Sequence, residues 1–225
     1  MKKIGMIVAV EINSVLNKFG TKLTEETAAG FKIYKYKTDN YELIVLSSGA
    51  GEIAAASGTQ LLISEYKVDL IINFGVVGGL TEEISKKKIC IIDKIVHYDY
   101  DISEVDNVEV GRYLEYKDIY IDTTTSLVEK SLKLKPELVK VICASGDKFI
   151  GQEDKKRELH QKFNADICEM EAAGIALTCN RNEIPFIMIK IVSDGITGGA
   201  KEFIETKEEA ASLCLDIVEE IIKEI

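Results

Sequence analysis

The 225 residues carry 46% hydrophobic and 29% charged side chains, with two prolines and no tryptophan, so disordered, collagen-like and membrane-spanning designs are excluded on composition. A net charge of -10 disfavours nucleic acid and anionic membrane surfaces as partners, because both require a basic face that releases counterions. Five widely spaced cysteines without a CxxC pair read as reduced, buried thiols rather than as disulfides or a zinc site.

The chain opens on Met1-Lys2-Lys3 and an apolar run over residues 4–10. The run ends at Glu11 without a small-residue cleavage pattern, and its length suits a buried strand, so the expected location is the cytoplasm. Further runs rich in β-branched residues cover 41–46, 68–73, 89–95, 139–144 and 186–192. Most lack strict alternation, as strands covered on both faces do. Between them, 52–66, 154–163, 171–182 and 207–225 carry helical patterns, while 83–88 and 201–209 read as polar loops or helix starts. Asp39-Asn40 between two alternating flanks predicts a hairpin. The sum is one domain over 1–225, a three-layer α/β/α sandwich around a mixed, twisted sheet.

In such sheets ligands bind beyond the carboxyl ends of the strands. Read there, the chain offers Ala9-Val10-Glu11-Ile12-Asn13, Ser48-Gly49-Ala50-Gly51, Phe74-Gly75-Val76-Val77-Gly78-Gly79, Ser145-Gly146-Asp147-Lys148-Phe149-Ile150, Glu169-Met170-Glu171 and Ser193-Asp194. The glycine loops do not form GxGxxG and lack a following acidic ribose clamp, so they read as tight turns or anion cradles rather than dinucleotide sites. Glu169 and Glu171 are either acceptors for a sugar diol or acids that decorate a helix N-terminus. Asp194, after an apolar run, is either an N-cap or a carboxyl whose pKa is raised for proton delivery.

Taken in order, these segments resemble the nucleoside phosphorylase superfamily, and within it the 5′-methylthioadenosine/S-adenosylhomocysteine nucleosidases. The resemblance implies cleavage of a purine N-glycosidic bond without metal or organic cofactor, in a homodimer. It implies that Asp194 protonates the leaving base, helped by Ser193. Glu171, with Glu169 and the Met170 backbone, holds the ribose; Phe149 stacks on the base and Ile150 reads its edge. Ala9, Val76 and Lys190 complete the lining. His97 falls near the expected dimer contact and reads as structural.

Three positions depart from the family. Asn13 stands where the nucleosidases carry a water-activating glutamate, and an amide cannot accept the water's proton. Val76 replaces a serine, and Lys190 replaces an arginine, which keeps charge but loses the bidentate fork. Three readings stay open: hydrolysis; phosphorolysis, with phosphate held by Lys190 or Arg112; and nucleoside binding with little turnover. Glu11 could replace Asn13 only with a rearranged loop, since two residues of extended chain span about 6–7 Å.

Overall fold

The computed structural model describes residues 1–225, apart from the side chains of Thr21 and Lys87. In chain order the strands are β1 (Lys2–Val8), β2 (Thr24–Ala28), β3 (Phe31–Lys37), β4 (Tyr41–Ser47), β5 (Leu70–Gly79), β6 (Ile89–His97), β7 (Ile121–Asp122), β8 (Val139–Ser145), β9 (Ile167–Glu169) and β10 (Phe186–Asp194). The helices are α1 (Ile12–Phe19), α2 (Glu52–Leu61), α3 (Glu82–Lys87), α4 (Ser103–Asp106), α5 (Thr125–Leu134), α6 (Glu153–Phe163), α7 (Ala172–Arg181) and α8 (Ala200–Ile222).

The sheet is mixed, with helices on both faces, as the sequence predicts. β1 lies parallel to β4 and β5, β5 parallel to β10, and β8 parallel to β6 and β9. The β3–β4 hairpin is antiparallel and turns at Asp39-Asn40, and β10–β6 and β5–β9 are antiparallel too. Because β10 pairs both β5 and β6, the circuit β5–β10–β6–β8–β9 closes on itself, and the open half of the sheet, β1–β4–β3–β2, extends from β5. The carboxyl ends of β1, β5, β8, β9 and β10 thereby meet in one place.

Side-chain alternation divides the core. Ile4, Met6, Val8, Leu70, Ile72 and Phe74 point to one face, where Ala211, Cys214, Leu215, Val218 and Ile222 of α8 cover them with Val15 and Phe19 of α1. Ile7, Ile44, Leu46, Ile71 and Met188 point to the other, against α2 and α7. Every residue of β5 and β10 is buried, which explains the missing period-two pattern in their sequences. α7 is built from small residues (Ala172, Ala173, Gly174, Ala176) so that it can approach α2; a Cβ on Gly174 would stand 2.5 Å from the Glu52 carbonyl.

Several boundaries differ from the sequence reading. β1 ends at Val8, two residues early, and β5 continues to Gly79 through what reads as a glycine loop. Residues 83–88 fall mostly in α3, whose N-cap Thr81 accepts the Ile84 amide, and α8 begins at Ala200, seven residues before its apolar periodicity starts. Among the described residues no helix is long and apolar enough to cross a membrane.

Candidate active site

A cavity opens where those strand ends meet. Ala9, Val10 and Glu11 follow β1, Ala50 follows β4, Val76–Gly78 belong to β5, and Lys148, Phe149 and Ile150 follow β8. Cys168 to Glu171 come from β9 and its exit, Asp194 ends β10, and Phe203 comes from α8. Of the residues singled out from the sequence, Ala9, Val76, Phe149, Ile150, Glu169, Met170, Glu171 and Asp194 line this cavity. Asn13, Ser193 and Lys190 do not.

Asn13 is exposed on α1, whereas Glu11 is buried at the cavity wall. The reason is local. The chain leaves the extended conformation at Val8, and Glu11 is already the N-cap of α1, with φ -90 and ψ 14. Two residues of helix rotate a side chain by about 200°, so Asn13 faces away from the side that Glu11 occupies. Glu11 is fixed by two amides: Val76 N donates to Oε1 at 2.9 Å and Val10 N to Oε2 at 3.0 Å. Room for this comes from Gly75, where a Cβ would lie 2.6 Å from Glu11 Oε1.

Glu169 and Glu171 have separate duties. Glu169 accepts the amides of Glu171 and Ala172 at 3.0 Å, the Ser145 hydroxyl at 2.5 Å and the Lys190 ammonium at 3.4 Å, so its oxygens are occupied in capping α7. The helix-cap reading holds for it. Among the described residues Glu171 accepts only the Gly51 amide, at 3.0 Å on Oε1. Gly51 adopts φ +108 to present that amide, a conformation that disfavours any side chain. Burial, then the neighbouring Glu169 charge, push the Glu171 carboxyl up to about 7 against the pull of Lys190 and the Gly51 amide.

Lys190 lies beneath these acids, fully buried. Burial alone would lower its pKa, but the charges of Glu169, Glu171 and Glu11 outweigh it and hold the ammonium above the usual lysine range. The lysine therefore balances the acid cluster from below rather than facing a ligand.

A second buried acid, Glu52 at the start of α2, meets Glu169 through Ser145. Ser145 Oγ contacts Glu52 Oε1 and Glu169 Oε1 and accepts the Ala173 amide at 3.1 Å. A hydroxyl has one proton, so one of the two carboxyls must donate. Glu169 is saturated with donors, which places the proton on Glu52; burial and the Glu169 charge push Glu52 up to about 8, in agreement. Its other oxygen accepts the Gly174 amide at 2.5 Å.

Asp194, at the end of β10, is a further buried acid of the lining. Its Oδ1 accepts the Ser193 hydroxyl at 3.0 Å and its Oδ2 the Lys156 ammonium at 2.6 Å. Burial raises its pKa and Glu202 adds to this, while Lys156 and Ser193 oppose it. A carboxyl raised above the usual carboxylate range and lining the cavity is suited to deliver a proton into it. Ser193 reaches the cavity only through Asp194. Phe149, 49% exposed, meets Phe203 edge-on, with centroids 5.4 Å apart, at the mouth.

His97 is not among the residues that line the cavity. Its Nδ1 is 2.7 Å from the Tyr113 hydroxyl and its Nε2 3.1 Å from Asp99, and burial lowers its pKa despite Asp99. The three arginines pair with surface acids: Arg112 with Glu109, Arg157 with Glu153 and Glu82, Arg181 with Glu115. Among the described residues no group of three His, Cys, Asp or Glu side chains is arranged to hold a metal ion.

Sequence reasoning missed Glu11 as a wall residue, Lys156 and Phe203. Glu11 carried a signal, an acid at a strand exit; Lys156 sits in a segment that reads as a charged amphipathic helix, and Phe203 in one that reads as a polar loop or helix start.

Comparison with known proteins agrees with this architecture. The family model of the phosphorylase superfamily matches residues 3–223, and the chain belongs to that superfamily. A curated relative, the 5′-methylthioadenosine/S-adenosylhomocysteine nucleosidase of Staphylococcus aureus, is 32% identical over 99% of this chain and all of its own length. Among solved structures, a mutant futalosine hydrolase of Helicobacter pylori superposes with a TM-score of 0.93 at 26% identity, covering all of both chains. The methylthioadenosine/S-adenosylhomocysteine nucleosidase of the same organism, bound to butyl-thio-DADMe-Immucillin-A, superposes at 0.92 and 27%, covering 100% of this chain and 99% of its own. That of Colwellia psychrerythraea, bound to adenine, gives 0.88 and 25%, with 99% and 95% covered.

Proposed function

We propose that this chain hydrolyses the N-glycosidic bond of 5′-methylthioadenosine and S-adenosylhomocysteine, releasing adenine. The observation that carries the reading is that one cavity is lined by three buried carboxyls from different strand ends: Asp194 at the end of β10, and Glu11 and Glu171 at the exits of β1 and β9, the last two held by backbone amides. Asp194 delivers a proton to N7 of the purine, so the base leaves neutral as the C1′–N9 bond breaks. Glu171 and the Met170 backbone hold the ribose hydroxyls, Phe149 stacks on the base, and Ile150 reads its edge. Glu11 orients a water toward C1′ and accepts its proton. That last role replaces the one expected at position 13, so the departure at Asn13 ceases to argue for a binding protein without turnover.

The cavity's charge speaks for water over phosphate. Glu11, Glu169, Glu171 and Asp194 line it against a single lining cation, Lys148; Lys190 is engaged by Glu169, and no arginine lines it. A phosphate dianion entering there meets like charge without a bidentate partner. The names of the relatives, nucleosidases and a futalosine hydrolase, support the same reaction on two kinds of purine nucleoside. We place the enzyme in the cytoplasm as a homodimer, on its resemblance to the family and its buried free thiols.

The test is product analysis with methylthioadenosine, S-adenosylhomocysteine, futalosine and inosine, each with and without phosphate. Phosphate-independent release of adenine from the first two is the expected outcome. A sugar 1-phosphate formed only in phosphate contradicts hydrolysis, and preference for futalosine or inosine moves the substrate class to 6-oxopurines.

A further inference from the structure

Lys156 belongs to none of the readings above, yet it is among the largest fully buried side chains of the protein. It stands on the inner face of α6 with Leu159 and Phe163, at i, i+3 and i+7, where an amphipathic helix calls for an apolar residue. A leucine would serve packing there without the cost of desolvating a charge. The ammonium has three protons, and its three acceptors lie on one short segment: Asp194 Oδ2 at 2.6 Å, the Gly195 carbonyl at 2.7 Å and the Asp194 carbonyl at 3.3 Å. The other groups around Asp194 are the Ser193 hydroxyl on β10, Cys168 on β9, and Glu202 on α8, whose carboxylate accepts the Gly195 amide at 2.9 Å.

We propose that Lys156 is the positioning residue of the general acid: it anchors the Asp194 carboxyl through Oδ2 and balances the carboxylate that appears when Asp194 gives up its proton. The proposal rests on the nucleoside-cleaving reading. In the step concerned, the Asp194 O–H bond breaks and N7–H forms, while the C1′–N9 electron pair passes to the base. Asp194 is left as an anion against a cation already in place. Water supplies hydroxyl to C1′ and its proton to Glu11, and both acids return to their starting states by exchange with solvent. Lys156 takes no part in the proton transfer. A buried carboxyl without such a cation would hold its proton too tightly to be a good acid, whereas a preoriented charge favours the transition state without reorganising.

The experiment compares Lys156→Met, Lys156→Gln and Lys156→Arg in the full chain, following kcat and KM for methylthioadenosine against pH, with thermal melting as a check of folding. The neutral variants should lose on the order of 10²-fold in kcat, with KM changed by no more than a few-fold. Without the cation the acid's pKa rises, so the alkaline limb of kcat should move up by about one pH unit or more, while Lys156→Arg keeps it in place. Wild-type kcat and limb in a folded neutral variant would overturn the proposal. If neither neutral variant folds, the wild-type enzyme decides: the ¹⁵N resonance of the Lys156 ammonium should shift with the midpoint of the alkaline limb, and a flat resonance through that limb contradicts the role. Failure of the wild type to cleave any purine nucleoside would sink the nucleosidase reading itself; an active wild type, an inactive Asp194→Asn and a normal Lys156→Met would sink only the role of Lys156.

Discussion

Glu11 Oε1 accepts the amide of Val76 at 2.9 Å, and this contact ties the exit of β1 to the middle of β5. Val76 is the position where the family resemblance leads one to expect a serine, and here its backbone amide makes the contact while its side chain packs in the core. The contact requires Gly75, because a methyl group there would sit 2.6 Å from the same carboxylate oxygen.

Gly75→Ala should therefore displace Glu11 before it disturbs the strand. We expect a loss of about 1–3 kcal/mol in stability from overpacking, and a fall in kcat that exceeds any change in KM. Chemical denaturation and steady-state kinetics measure the two effects. A variant with normal kcat would show that the carboxylate's place is not set by this contact.

Glu52 gives a pH signature. Its pKa is raised in the folded protein, from the ordinary 4.5 to about 8, so the folded state holds more protons than the unfolded one between those values. Stability from this group is complete below about pH 4.5 and is lost as the pH rises through about 8. Glu52→Gln keeps the donor toward Ser145 and removes the titration. Its melting temperature at pH 6 should stay close to wild type, and the decline of wild-type stability between pH 6 and pH 9 should be shallower in the variant. Equal slopes would place the shared proton elsewhere.

At the mouth, Phe203 meets Phe149 edge-on, and such pairs contribute about 0.5–1.5 kcal/mol. Phe203→Ala should raise KM for methylthioadenosine by about three- to ten-fold and leave kcat unchanged, since the ring carries no proton to transfer. A loss confined to kcat would instead place the ring at the reacting centre.

The long strands and the acids at their ends were legible because burial on both faces writes unbroken β-branched runs, and the chemistry follows where they stop. That logic found Asp194, Glu171, Met170, Phe149 and Ile150. It placed Gly75–Gly79 in a loop because glycine signals turns locally, yet pairing with β10 and β9 keeps those residues in β5. It set Glu11 aside by treating 11–13 as extended chain, when the helix has already begun. Lys156 was hidden between Lys155 and Arg157 in a charged helix, where periodicity marks an inner face but gives no reason for a cation on it. Glu169 and Glu171 are equivalent in sequence; only the hydrogen bonds of α7 separate the cap from the free acid.

The central claim is that Glu11, and not the residue at position 13, serves the nucleophile. Steady-state kinetics of Glu11→Gln and Asn13→Ala with methylthioadenosine test it most directly. Glu11→Gln should lose about 10²- to 10⁴-fold in kcat, as expected when a general base is removed, and Asn13→Ala should stay within about two-fold of wild type. The reverse pattern, a silent Glu11→Gln and a crippled Asn13→Ala, would contradict the account.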